Sequence, residues 1–448
     1  MDDAKRLWTW WQQLLDQVTV VLTLGGRVRL MQWITGLVFC PEEHTITQSL
    51  IGMGLESRWR VLESFAEYGS WDREALERRT MRMIEQVHPA RWGKYRPVAV
   101  DDTKAHRTSK HVWGTCTFHE ASARSPNRAT TVRAHNWVIL GDLLPGQPWS
   151  FLPTAGRLYF RKSQLPPGEV FRTKNQLALE MLREVDEESP VPILVAADGA
   201  FAKETVVRPC LNPPPHRRRM ELVTRLRKDA RLYVPQLPPK NPTGRPTKWG
   251  KRLPAPQHHE QWTVPWQSGR AFLYGRMRRF QYKQLLCRWH VSGPTQLVHA
   301  YVFQVEGYRG PWYVVATARD LSPAQAATTF AARYRQETDG FRDLKQRLGM
   351  EECRAWTKQP ILRTVQAQLI AITALRLTRF HLDEQWGTEG WWQAPEWNRR
   401  KKHPSLLDLR RLFWRYRERF SHFLRKLEEL RKPPQSRPAC SEPLARAA

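Results

Sequence analysis

Three acidic side chains, far apart in this 448-residue sequence, have the types and settings to do chemistry: Asp101 in "VAVDDT", Asp198 in "LVAADGAF" and Glu337 in "ARYRQETDGFRDLKQRLG". The first two end apolar, β-branched runs that read as strands, and the third lies in a stretch with a helical pattern. Two strand-end carboxylates plus one on a helix are the hard oxygen donors that two Mg²⁺ or Mn²⁺ ions require. Two such ions about 4 Å apart suit in-line attack at a phosphodiester. Alternation along "VAVDDT" puts Asp101 and Asp102 on opposite strand faces, so only one of the two looks into such a site. For Asp198 the plainer account is an Asp-Gly turn, against which stands its place at the end of a buried run.

The helical stretch spends many positions on charge. Arg333, Glu337 and Lys345 fall four and eight residues apart, close to one helical face, where they can meet one backbone phosphate and one metal together. Asp339, Asp343 and Arg335 then fall on other faces, solvated or paired. An ordinary ion pair at i,i+4 is the competing account of the triple, and the two Asp-ended strands tip the balance toward a site. Thr103 either supports the first carboxylate or is a plain strand-end threonine.

The elements that must position these groups begin at residue 95, where a helical period gives way to alternating, β-branched segments. "RPVAVDDT", "HVWGTCTFHEA" and "HNWVILGDLL" read as three successive strands, "TKNQLALEMLREVDEE" as a helix, "VPILVAADGAF" as a buried strand and "RMELVTRLRKDARLYV" as a fifth strand. This is the opening order of a ribonuclease H-like α/β domain, whose first and fourth strands lie side by side and would bring Asp101 to Asp198. The predicted organisation is a helical N-terminal DNA-binding region (1–92), a first catalytic part (93–234), and a basic loop with a β-rich insertion (235–310). A second catalytic part (311–380), a basic helical C-terminal region (381–432) and a disordered tail (433–448) complete it. Within the first region a short helix near Thr45 or Thr47, a Gly52-Met53-Gly54 break and a longer helix over 57–67 have helix-turn-helix-like spacing. Ser322-Pro323 reads as a helix start, and "PILRTVQAQLIAITALRLTRF" as a long amphipathic helix.

These blocks together resemble the DDE-type insertion-sequence transposases, in particular the group with a Tyr-x2-Arg-x3-Glu-x6-Lys signature and a β insertion before the Glu. Phe330 stands at the Tyr position, Arg333 at the Arg and Glu337 at the Glu, while Lys345 comes one residue late. Phe removes a hydroxyl that could bond a phosphate. The late Lys is turned about 100° around an α-helix, so either Arg342 or Lys345 can fill its role. The resemblance implies two Mg²⁺ or Mn²⁺ ions on Asp101, Asp198 and Glu337, cleavage of element ends followed by strand transfer, and a homodimer or larger synaptic assembly. It also implies an insertion residue that stacks on a flipped base, and Trp262, Trp266, Trp289 and Trp312 lie in or beside the insertion.

Composition agrees with a polyanionic partner. Lys and Arg outnumber Asp and Glu by 72 to 43, a formal charge of +29, well beyond what solubility asks for. Double-stranded DNA is the expected partner, with Arg245, Lys248, Lys251 and Arg252 of the Pro-rich basic loop following a phosphate backbone. The apolar runs are too short to span a bilayer, and the acidic N-terminus has no signal-peptide pattern, so a cytoplasmic, nucleoid-associated protein is expected. Six scattered cysteines without a CxxC pair suggest neither a zinc ribbon nor a disulfide framework. Two rivals remain open: a nuclease of the same fold that cannot join strands, and an inactive transposase-derived DNA-binding protein.

Overall fold

The computed structural model describes residues 3–40, 42–120, 130–236, 248–418 and 420. Helices α1 (Asp3–Thr19), α2 (Leu24–Phe39), α3 (Trp59–Tyr68) and α4 (Arg73–Val87) precede strands β1 (Arg96–His106), β2 (Cys116–His119), β3 (Thr131–Leu144) and β4 (Ser150–Tyr159). Then come α5 (Lys174–Glu188), β5 (Ile193–Ala197), α6 (Glu204–Leu211), β6 (Glu221–Arg225) and β7 (Leu232–Tyr233). Strands β8 (Gln267–Leu273), β9 (Arg276–Trp289), β10 (Leu297–Val305) and β11 (Trp312–Ala316) lead to α7 (Pro323–Ala332) and α8 (Arg342–Arg347). Helices α9 (Lys358–Trp386), α10 (Thr388–Trp391) and α11 (Leu406–Arg415) follow.

All the strands join one sheet in the order β2-β3-β1-β5-β6-β11-β10-β9-β7, with β4 also on β3 and β8 on β9. The β1–β5 and β5–β6 pairs are parallel. Strand β5, "ILVAA", is buried at every position, as a central parallel strand covered on both faces must be. This is a ribonuclease H-like α/β arrangement with helices at both ends, and β1 and β5 are neighbours: Val100 pairs with Ala197.

Several expectations change. The opening meander is β1–β3–β4, and the predicted second strand is only the four-residue β2 at its edge. Pro153 and Gly156 hid β4, because both residues ordinarily weaken a strand. Pro153 is accommodated at a register shift against Leu140 and Gly141, and Gly156 lets Leu369 of α9 approach, since a Cβ there would lie 3.1 Å from Leu369 Cδ1. Strand β1 runs on to His106, so the Asp pair is mid-strand. The predicted fifth strand is two, β6 and β7. Within the β-rich insertion, β10 pairs with β11 and extends the central sheet outward. The predicted first helix of the helix-turn-helix is a 3₁₀ segment, Gln48–Met53, packed so tightly on α2 that a Cβ at Gly36 would collide with the Ser49 carbonyl.

Helix α9, expected to be amphipathic, is buried on all sides through most of its length. Its polar side chains are spent on backbone carbonyls of neighbours: Arg363 on Phe65 and Ala66, Gln368 on Leu348, Thr373 on Pro153. One apolar core therefore runs from α1, α2 and α3 through α9 into β3 and β4. No helix among the described residues is long and apolar enough to cross a membrane. The five described cysteines are free and buried.

His135 in β3 is fully buried, with Nε2 2.8 Å from the Trp113 carbonyl. Burial, then the nearby Arg107, hold its pKa down at about 4. Because the folded value lies below the unfolded one of about 6.5, its contribution to stability is complete above pH 6.5 and is lost as pH falls toward 4. Urea unfolding at pH 7 and pH 4.5 should differ by about 2 kcal/mol more in the wild type than in His135→Gln. Equal losses in both would remove this histidine as a cause.

Candidate active site

Strand pairing places the first two carboxylates. Val100 and Ala197 are register partners, so Asp101 and Asp198, each the next residue, emerge side by side where β5 stops and β1 continues. The two neighbours Asp101 and Asp102 go to different partners, as alternation requires. The Asp102 carboxylate accepts from Lys174 Nζ at 2.6 Å, at the first turn of α5, where the Thr173 capping box fixes the helix start. The Asp101 carboxylate accepts from the Asp102 backbone N–H at 2.8 Å and from Arg333 at 3.2 Å.

Glu337 arrives by a different device. Helix α7 starts at the Ser322 capping box, as read from the sequence, but stops at Ala332. A π turn over Gln336–Phe341 then carries Glu337 before the chain resumes as α8. The Arg342 backbone N–H donates to the Glu337 carbonyl, five residues back, and such wide turns are frequent at functional sites. Two contacts hold the turn on the sheet. Fully buried Gln336 donates to the Ile139 carbonyl at 2.7 Å, and Ile139 is the register partner of Asp101. Gly340 presses onto β4, where a Cβ would come within 2.6 Å of the Phe151 ring.

The Arg333 guanidinium stands among the three acids. It lies 3.2 Å from Asp101, 3.8 Å from Asp198 and 3.3 Å from Glu337, with Nε lacking an acceptor among the described residues. Burial pushes the Asp101 carboxyl up to about 7; the Asp102 N–H and Arg333 pull it down, and the charges of Asp102 and Asp198 raise it further. By count, three carboxylates share this one guanidinium, which leaves the cluster short of positive charge. Hard carboxylate oxygens short of a counter-charge match a divalent cation in donor type. As folded here the three gather on Arg333, and among the described residues no three acidic, His or Cys side chains stand close enough to ligate one ion directly.

The other sequence candidates are spread out. Lys345, about 12 Å further along an ideal helix than Glu337, pairs with Glu351 at 3.3 Å and does not join the acids. The α-helical spacing that put it on their face does not hold across a π turn. Arg342 lies near Asp339 and Asp343, at 3.9 and 3.5 Å. Thr103 is buried two residues beyond Asp101, while the Asp102 backbone is what donates to Asp101. Lys248, Lys251 and Arg252 are exposed, and Arg252 bridges to β7, five strands from β5, about 24 Å away across the sheet. Arg245 lies outside the described residues, as does the predicted tail. Trp262 and Trp289 are buried, Trp266 is exposed under Lys283, and Trp312 packs on Phe330 and Tyr274.

Sequence reasoning missed two residues beside the acids. Lys174 had no local mark. Tyr274 had one: "LYGR" forms a two-residue hairpin, with Tyr274 and Gly275 both at positive φ, 50° and 82°. The tip of that hairpin reaches α7 and shares a cavity of about 340 Å³ with Tyr334, Thr338 and Arg342.

The family model of the DDE superfamily endonucleases matches residues 23–286, more than half of the chain. The match contains Asp101 and Asp198 and ends ahead of Glu337. Among curated proteins no match was found.

Proposed function

We propose a reaction for a chain that belongs to the DDE superfamily endonucleases: metal-dependent cleavage at the ends of a DNA element, followed by strand transfer into target DNA. The observation that carries it is the meeting of carboxylates from β1, the end of β5 and the π turn at one guanidinium. Asp101, Asp198 and Glu337 would hold two Mg²⁺ or Mn²⁺ ions. When bound, such ions supply Lewis acidity at the attacking and leaving oxygens of an in-line displacement. Asp102, tied to Lys174, keeps its charge out of that set. Gln336 holds the π turn, and with it Glu337, against the strand pair that bears Asp101. Arg333 balances the acids and is placed to bind a phosphate oxygen of the strand being cut.

Arg342 and Lys345 continue the basic side of α8, and Lys248, Lys251 and Arg252, with Arg245, would follow DNA further out, together with the N-terminal helical region. Two ends must be joined to each other, so a homodimer or larger synaptic assembly is the working unit, acting on the nucleoid in the cytoplasm. The finer assignment, to the group with the Tyr-Arg-Glu-Lys signature, rests on Arg333, Glu337 and the β insertion. The test is incubation with Mg²⁺ and DNA that carries the sequences flanking the coding region. Nicked ends and joined products together support the transposase; nicks that never become joined products leave a nuclease; uncut DNA leaves the inactive DNA-binding protein.

A further inference from the structure

Beyond Glu337 the same turn enters a second charged setting. A cavity of about 190 Å³ is lined by Arg335, Arg342, Arg376 and Arg379, with His403 at its wall and Asp339 and Asp343 as its acids. Arg376, only 7 % exposed, donates to the Asp339 carbonyl at 2.8 Å and to the Asp343 carboxylate at 3.1 Å, and lies 3.8 Å from the Asp339 carboxylate. Its Nε has no acceptor among the described residues.

The remaining pairs are loose. Arg335 lies 3.5 Å from Asp339, and Arg342 lies 3.9 Å from Asp339 and 3.5 Å from Asp343. Two carboxylates are thus shared by three guanidiniums, and only one of the five contacts is shorter than 3.5 Å. Arg379 adds a fourth guanidinium, its Nε 3.4 Å from the Asp383 carboxylate. His403 is held below its ordinary pKa by burial and then by Arg379, which fits a positive local field. Forked N–H donors in excess over acceptors, at a concave wall with buried Arg376 at its base and half-exposed Arg342 at its rim, are the complement of a phosphate group.

We propose that this cavity binds a phosphate group, that of a DNA backbone running past the candidate active site. The inference rests on the reading of DNA as substrate given above. A strand is favoured over a free anion because the cavity does not stand alone. Arg335, Asp339 and Arg342 also line the cavity under Tyr274 and Tyr334, so one groove leads from the hairpin tip across the π turn to His403. An extended polyanion can occupy both halves, and the chain's +29 charge draws it in.

The test reads opposite signs from neighbouring residues. Binding of a fluorescein-labelled duplex to the full chain is followed by anisotropy over a range of KCl. Arg335→Gln and Arg342→Gln should each weaken binding about tenfold and lower the slope of log K against log salt by about 1. Asp339→Asn, which removes a competing carboxylate, should tighten binding several-fold. Unchanged slopes in both arginine variants overturn the site; so does weakened binding in Asp339→Asn, which would mark the cluster as merely structural. Inorganic phosphate, titrated calorimetrically, separates the sources. Phosphate binding that Arg335→Gln abolishes while duplex affinity stays the same overturns the backbone assignment. Wild-type cleavage on the same preparation keeps the two readings apart: unaltered slopes in an enzyme that cuts sink the site alone, whereas a chain that binds but never cuts, with slopes altered as expected, sinks the reaction alone. Failure of the wild type to bind the duplex sinks both.

Discussion

Asp101→Asn, Asp198→Asn and Glu337→Gln will each lower Mg²⁺-dependent DNA cleavage by about a thousandfold or more, about 4 kcal/mol of barrier, and will leave duplex binding in place. The expectation follows from geometry. Each acid faces Arg333 at 3.2 to 3.8 Å, and the three come from three separate elements. Asp102 provides the control, since it differs from Asp101 by one position and points to Lys174; Asp102→Asn should stay within tenfold of the wild type. Single-turnover cleavage of an end-containing duplex, with anisotropy as the binding readout, separates the cases. Full activity in Asp101→Asn with loss in Asp102→Asn would reverse the strand face assigned to the site. Full activity in all three variants would dissolve the site.

The second large effect is on stability. Arg96 and Asp142 form a two-pronged pair between β1 and β3, at 2.5 and 2.8 Å, with both side chains 1 % exposed. The pair sits at the end of β1 remote from Asp101, about 17 Å along the strand. Asp142→Ala strands a buried guanidinium and should cost about 3 to 5 kcal/mol. The double variant Arg96→Met/Asp142→Leu removes both charges together, and should recover most of that loss, because a buried pair gains little over well-packed apolar groups once desolvation is counted. Pulse proteolysis in urea is the suitable readout for a chain of this length. An Asp142→Ala protein within 1 kcal/mol of the wild type would mean that water reaches Arg96.

Local patterns made part of this molecule legible. Apolar runs closed by an acid mark the neighbourhoods of Asp101 and Asp198, since a buried parallel strand has to be continuously apolar and a carboxylate can appear only where it ends or meets a partner. Ser322-Pro323 announces α7 because capping is a matter of adjacent residues. Charge balance points to a polyanion without any fold at all.

What the sequence by itself determined, then, was whatever depends on near neighbours: the strand runs, the helix starts, the alternation that separates Asp101 from Asp102, and the excess of positive charge. Only the tertiary structure decided how distant segments meet. The π turn exists because Gln336 finds the Ile139 carbonyl and Gly340 finds Phe151; neither partner lies within 180 residues, so no helical period could foretell that Lys345 would turn to Glu351. Strand β4 is a strand because α9 and β3 cover it, in spite of its own Pro and Gly. Arg333 touches three acids from three elements, and that sharing is a property of their convergence. The physical reason is common to all of these: hydrogen bonds, burial and charge act through space, and only the closed chain brings their partners within reach.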